Sequence, residues 1–364
     1  MALFNAHNAH NAHNAHNAHN AHTAHNAHNA HNAHGGGGSD PVAIATSAEG
    51  IMGYWNGTPT ASPVASKDVW RNFIRLQPAT QLMLLAHESA RLYRVERATT
   101  PLKVEVPNGQ TLLTLTPPIE ADLALQLPHL RTAADLRADR MAEILEQSGE
   151  MLSFYGSIFA LHPARKRWSL LLLAALMEPV VMTEMRLKFL ASLPRPTAFA
   201  QQLMPMIATP EHSTYPSGHA TEAFALATVL SALEVAGAGN TAPVAAVLTR
   251  VLGSAASDPA MLAYRLAARI ADNRTVAGLH FPVDSAHGAL LGLATGLGFV
   301  ASCAATSVAI PSWQAAGSGW TTAFSLDLWL AALPGWQGAD VAVPAAAIDS
   351  PLALLWANAV AEWV

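Results

Sequence analysis

Three short segments of this chain set charged and nucleophilic side chains among apolar neighbours, and their spacing limits what they could do together. The first is Lys188-Phe-Leu-Ala-Ser-Leu-Pro-Arg195-Pro196. A proline disfavours the helical region for the residue before it, so Arg195 is expected to leave the helix that carries Lys188. Two cations then stand where a helix gives way to a turn. The second, Tyr215-Pro216-Ser217-Gly218-His219, opens a long apolar run. Ser217 is a good N-cap, the first-turn amides of a helix lack partners within it, and Gly218 allows close approach, so this is a ready oxyanion cradle. His219 lies in that turn, where it could exchange protons with whatever the cradle holds. The third segment runs from Arg274 through His280 to Asp284. A carboxylate four residues beyond the imidazole can reach Nδ1, fixing the tautomer and leaving Nε2 to attack or to ligate. Arg274 adds a planar donor fork suited to oxyanions. Taken singly, these segments also read as a snorkelling cation, an ordinary capped helix and a structural ion pair. Taken together they describe a site for a small, multiply charged oxyanion, one His adding to its central atom and the other handling protons. Nothing resembles a GxxxxGK phosphate loop, and no carboxylate cluster suggests magnesium.

The elements that must position these groups read as helices. Apolar residues recur at three- and four-residue spacing over 67–97, with a break near Pro78, and again over 133–161 and 165–193. Further helices are expected at 217–236, 242–254, 258–272, 283–309 and 321–333, and a last one at Ser350, an N-cap with Pro351 in the first turn. Residues 99–118 differ: prolines and an Asn-Gly pair bracket short alternating runs, which predicts a small hairpin near 102–116. The expected fold is an all-α helical bundle with at most that hairpin. Residues 288–310 form 23 positions without a charge, long enough to span a bilayer. Gly288, Gly292 and Gly296 recur every four residues within it, the pattern that lets helices approach closely. A central helix of a tightly packed bundle is the preferred reading, because other long helices carry Glu184, Arg186, Lys188, Glu222 and Glu234.

The order Lys188-x6-Arg195-Pro196, then Pro216-Ser217-Gly218-His219, then Arg274-x5-His280-x3-Asp284 resembles the signature of the vanadium haloperoxidase and type 2 phosphatidic acid phosphatase superfamily. The match spans roughly 165–300 and departs at Asn273, where the pattern usually has Ser. The resemblance implies a helical bundle and one of two chemistries. In the phosphatases, the residue matching His280 attacks phosphorus and that matching His219 protonates the leaving alcohol. In the haloperoxidases, the cofactor vanadate is bound axially through the equivalent of His280. Its oxygens are held by the equivalents of Lys188, Arg195, Ser217, Gly218 and Arg274. Hydrogen peroxide then displaces oxo ligands, the lysine polarises the bound peroxide, and a halide is oxidised to a hypohalous species that halogenates a small organic substrate. His212 resembles the bromoperoxidase pattern, and Met185 stands where chloroperoxidases have Trp and algal bromoperoxidases Arg; both are assigned to the halide and substrate pocket. The 53 residues between His219 and Asn273 fit the phosphatases better. The large N-terminal helical region and the Gly218-His219-Ala220-Thr221 run favour a haloperoxidase, with bromide or iodide as halide. The alternative is a metal-free phosphomonoesterase working through a phosphohistidine at His280.

Composition bounds the rest. Of the 17 histidines among 364 residues, ten belong to an Asn-Ala-His repeat at the N-terminus, followed by Gly35-Gly36-Gly37-Gly38-Ser39. Residues 1–39 read as an appended metal-affinity handle and linker, leaving 40–364 as a single helical domain. The formal charge of −5 makes nucleic acid an unexpected partner. Charged residues are only 12%, which points to long, well-buried helices. Cys303 is the single cysteine, so no intrachain disulfide is available. No membrane partner is expected and a homodimer is allowed. The handle stands where a native leader would, so secreted or periplasmic origin stays open. His87, His129 and His162 are expected to be surface or satisfied core residues and the C-terminal tryptophans core or oligomer contacts; a bland role is preferred for His287 too, with a helix face shared with His280 as the lesser alternative.

Overall fold

A computed structural model of the chain describes residues 57–59, 67–96, 100–304, 307–347 and 349–364. The expected affinity handle and linker lie outside them. The chain divides into two compact units, 1–81 and 82–364. In the first, α1 (Val69–Ile74) is capped by Asp68, whose carboxylate accepts from the Arg71 amide at 2.9 Å. Trp70 stacks on Phe73 within it.

In the second unit the order of elements is the C-terminal part of α2 (Pro78–Ser89), β1 (Arg94–Val95), β2 (Leu102–Glu105), β3 (Thr111–Thr116), α3 (Glu120–Ala124), α4 (Leu127–Ala133), α5 (Arg137–Gln147), α6 (Leu152–Phe159), α7 (Arg167–Ala191), α8 (Pro196–Phe199), α9 (Gly218–Gly237), α10 (Pro243–Gly253), α11 (Leu262–Val276), α12 (Pro282–Ser302), β4 (Val308–Ala316), α13 (Leu326–Trp336), β5 (Gln337–Val343) and α14 (Pro351–Ala361). The fold is mostly helical, as the periodicity predicts. Ser350 caps α14 as expected, accepting from the Ala353 amide at 3.2 Å.

At the centre, α9 packs along α12. The four-residue glycine spacing explains how close they come. A Cβ at Gly288 would stand 2.5 Å from the Ser217 carbonyl oxygen, and one at Gly292 would stand 2.2 Å from the Thr221 carbonyl oxygen. One at Gly296 would meet Thr228 Cβ at 2.8 Å. Only hydrogen fits at these positions, so the two backbones touch where other helices interpose side chains. By length and composition α9 and α12 could each cross a bilayer, and the apolar window of α12 is wholly buried inside the protein.

The β structure exceeds the expected hairpin. The antiparallel pair β2–β3 is present, but it lies in a five-stranded sheet ordered β1-β2-β3-β4-β5. β3 and β4 are parallel, with Leu113 opposite Trp313 and Leu115 opposite Ala315, and β4 pairs antiparallel with β5. The helix expected over 283–309 therefore stops at Ser302, and the chain continues as a strand. The helix expected through residue 97 stops at Ser89 before β1. β4 finds its parallel partner β3 about two hundred residues earlier, whereas β1 pairs with β2 only about ten residues on.

Candidate functional site

Helix α7 carries Lys188 in its last turn and ends with Ser192 in the left-handed conformation, its amide bonded to the Lys188 carbonyl at 3.0 Å. Arg195 is extended at φ −74°, ψ 159°, as the following proline requires. The return loop is tied to this turn: Thr214 donates its amide to the Leu193 carbonyl at 3.2 Å, and Ser213 Oγ accepts from the Leu193 amide at 2.9 Å. That places the cap of α9 beside both cations. Ser217 caps the helix, its hydroxyl facing the Ala220 amide at 3.5 Å and its own amide donating to the Asp284 carbonyl at 3.0 Å.

The third segment returns to the same place through a Schellman turn at the end of α11. Gly278, at φ +83°, takes the left-handed position; its amide bonds to the Thr275 carbonyl and the Leu279 amide to the Arg274 carbonyl, both at 2.9 Å. This reversal brings His280 back toward the helix end that holds Arg274. Pro282 then starts α12, and Asp284 in its first turn accepts the Phe281 amide at 2.9 Å.

Lys188, Arg195, Ser217, Arg274, His280 and Asp284 are all buried. His280 Nδ1 lies 3.2 Å from Asp284 Oδ2, and its Nε2 lies 3.1 Å from Arg195 NH1. Because a guanidinium can only donate, Nε2 must present its lone pair and Nδ1 must carry the proton toward the carboxylate. Both nitrogens of His280 thus have assigned states. Thr214, two residues before the proline of the cap, donates its hydroxyl to Asp284 Oδ2. Lys188 Nζ donates to the Pro216 carbonyl and, at 3.5 Å, to that of Ser213. Arg274 NH2 donates to the Ile144 carbonyl at 3.2 Å and to Gln147 Oε1 at 3.1 Å, while its Nε and NH1 are buried with no hydrogen-bond partner among the described residues.

His219 is half-buried, its Nε2 3.1 Å from the Gln147 carbonyl oxygen. A carbonyl only accepts, so Nε2 carries a proton and Nδ1 is the basic nitrogen of the neutral ring. His212 Nδ1 lies 3.1 Å from Arg195 NH2 and 3.3 Å from the Ser213 carbonyl. It cannot accept from the first and donate to the second; the arginine contact is shorter and leaves Nδ1 as acceptor. Met185 is half-buried on α7, one turn before Lys188.

Electrostatics follow from three cations in a dry place. Burial pushes Lys188 down from its usual value, opposed by the Glu184 carboxylate, and pushes Arg195 and Arg274 down as well. Burial, reinforced by Arg195 and Lys188, holds His280 well below the ordinary imidazole range, so the ring is neutral. Asp284 is raised by burial, and Glu222, also buried, is pushed up to about 8. An anion among these groups would reverse the penalties on the cations.

Several supporting contacts join residues far apart in the chain. Asn273, at the departure from the family pattern, donates to Gln147 Oε1 at 2.9 Å, the same atom that Arg274 engages. Its Oδ1 accepts from Arg140 at 2.9 Å, which also pairs with Asp272 at 3.1 Å. His287 is buried and meets Tyr215 Oη at 2.7 Å through Nδ1, so it supports the loop before the cap rather than touching His280. Thr214 had one signal, its closeness to Pro216. Gln147 had none. Outside the site, His87 meets Arg91 and His129 meets the Thr321 carbonyl, as bland a role as expected.

Residues 167–307 match the family model described as the PAP2 superfamily. This segment of a mostly helical protein is similar to that superfamily, which holds both phosphatases and haloperoxidases. No curated protein matches the chain.

Proposed function

We propose that the chain is a vanadate-dependent haloperoxidase, in which Lys188, Arg195, Ser217, Gly218 and Arg274 would hold the oxyanion and His280 Nε2 would bind its central atom. The observation that carries this reading is the neutral His280, its lone pair set against Arg195 within a ring of buried cations. The donor set fits vanadate: Nε and NH1 of Arg274 are buried donors with no hydrogen-bond partner among the described residues. When bound, vanadate would supply an electrophilic centre that activates hydrogen peroxide toward halide. The protein's own groups have separate tasks. Asp284 and Thr214 keep Nδ1 of His280 protonated and the ring oriented. Lys188 stabilises negative charge on the bound anion, and His219 Nδ1 accepts and returns a proton. His212, resting on Arg195, favours the haloperoxidase branch with bromide or iodide, and Met185 completes the expected halide and organic-substrate pocket.

The short spacing between the second and third segments supports a second reading, a phosphomonoesterase. There His280 Nε2 would bond to phosphorus as the P–O bond to the alcohol breaks, His219 would protonate the departing oxygen, and water would then cleave the phosphohistidine. Peroxide-dependent bromination of a dye by the full chain, stripped on a chelating resin to clear the histidine tract, separates the two. Bromination that requires orthovanadate and is competed by phosphate is expected. Phosphoester hydrolysis inhibited by vanadate, with neither bromide nor iodide oxidised, would replace the first reading by the second.

A further inference from the structure

Gln147 ends α5, outside the segment that matches the family, yet two of its atoms contact residues of the cradle. Its main-chain oxygen engages His219 Nε2 at 3.1 Å. Its side-chain oxygen accepts from Arg274 NH2 at 3.1 Å and Asn273 Nδ2 at 2.9 Å. Two donors on Oε1 fix which way the amide is turned, so the remaining NH2 group has an assigned position. That Nε2 is buried and has no hydrogen-bond partner among the described residues, and the same holds for Nε and NH1 of the adjoining Arg274. Gln147 is 1% exposed and Arg274 0%. Buried donors without acceptors are costly and uncommon, and three on two touching side chains mark the place of an acceptor-rich partner.

We propose that Gln147 is a direct ligand of the oxyanion, donating from Nε2 beside Arg274, while its main-chain carbonyl sets the proton position on His219. One residue then links the anion's grip to the proton-transfer group. This rests on the cradle's being an oxyanion site, whichever of the two reactions it serves. It adds a ligand from a helix that the three motifs do not include.

Inorganic phosphate, titrated calorimetrically into the full chain, is the probe. Gln147→Glu keeps acceptors for Arg274 and Asn273 and the same backbone, but replaces the donor by a negative charge. Its phosphate affinity is expected to fall about a hundredfold at neutral pH, and that of the near-isosteric Gln147→Met about tenfold. In Gln147→Glu, lowering the pH until the carboxyl protonates restores a donor and should recover part of the loss relative to wild type, which a purely structural role would not do. Circular dichroism identifies either variant that fails to fold, and the other then decides. Affinity within twofold of wild type in a folded variant, while Arg274→Ala loses binding, would overturn the role of Gln147 and leave the oxyanion site standing. A wild-type chain that binds neither phosphate nor vanadate would overturn both.

Discussion

The seam between α9 and α12 and the five-stranded sheet are built on opposite terms. In the seam, every contact that matters comes from residues four apart on one helix. Gly288, Gly292 and Gly296 meet Ser217, Thr221 and Thr228, which fall along one side of α9 and its cap. In the sheet, β3 pairs in parallel with β4 across about two hundred residues of chain. The seam also has chemical consequences that the sheet lacks. Its two helices begin with Ser217-Gly218-His219 and with the His280–Asp284 turn, so the closeness that glycine permits brings cap, imidazole and carboxylate together. Ser217 donates its amide directly to the Asp284 carbonyl. The sheet supplies core, and among the described residues none of its hydrogen bonds goes to a cradle side chain. Local periodicity thus sets the site, and long-range pairing sets the surrounding scaffold.

If that division holds, disturbing the seam should destroy fold and site together. Gly292→Leu puts a side chain where even a Cβ stands 2.2 Å from a carbonyl oxygen, so a loss above about 3 kcal/mol, or no native state, is expected in urea unfolding. An unfolding midpoint close to wild type would mean that the helices can part freely. His280→Ala should keep the helical spectrum but lose stoichiometric vanadate binding in equilibrium dialysis. Full occupancy in that variant would show the ligand assignment to be wrong. Trp313→Ala, in β4 and 1% exposed, tests the other side of the comparison. Truncating this buried ring should cost about 3 kcal/mol of stability and leave oxyanion affinity unchanged, so a parallel loss of affinity would tie the sheet to the site.

Smaller effects concern protons. Asp284 is raised by burial to about 6 and Lys188 lowered by burial to about 8, and the proposed reaction uses the first as a carboxylate and the second as a cation. Activity at low substrate should therefore fall below about pH 6, as Asp284 protonates, and above about pH 8, as Lys188 loses its proton. For Asp284 the folded value lies above the unfolded one, so its contribution to stability is present at low pH and is lost as pH rises through about 6. Thr214→Val removes a hydrogen bond that favours the ionised carboxylate, at a cost of about 1 kcal/mol. It should move the acid limb of the pH profile upward, and an unmoved limb would assign that limb to another group.

The residues themselves disclosed most of the cradle. The i, i+4 spacing of His280 and Asp284, the proline after Arg195 and the serine before Gly218 each act through backbone geometry within a few residues. The glycine recurrence on α12 disclosed its close partner for the same reason. What the chain order could not disclose was anything depending on a second segment. The charge-free run 288–310 looked like one helix because nothing in it marks where β3 will capture the last part as a strand. Gln147 lies at the end of an unremarkable helix and reaches Arg274 and His219 only because α5 lies across α11. Sequence alone determined which groups could hold and attack an oxyanion, because those groups are placed by local backbone preferences. Tertiary structure alone decided their protonation and their supporting contacts, because burial and hydrogen-bond partners exist only once distant helices have closed around them.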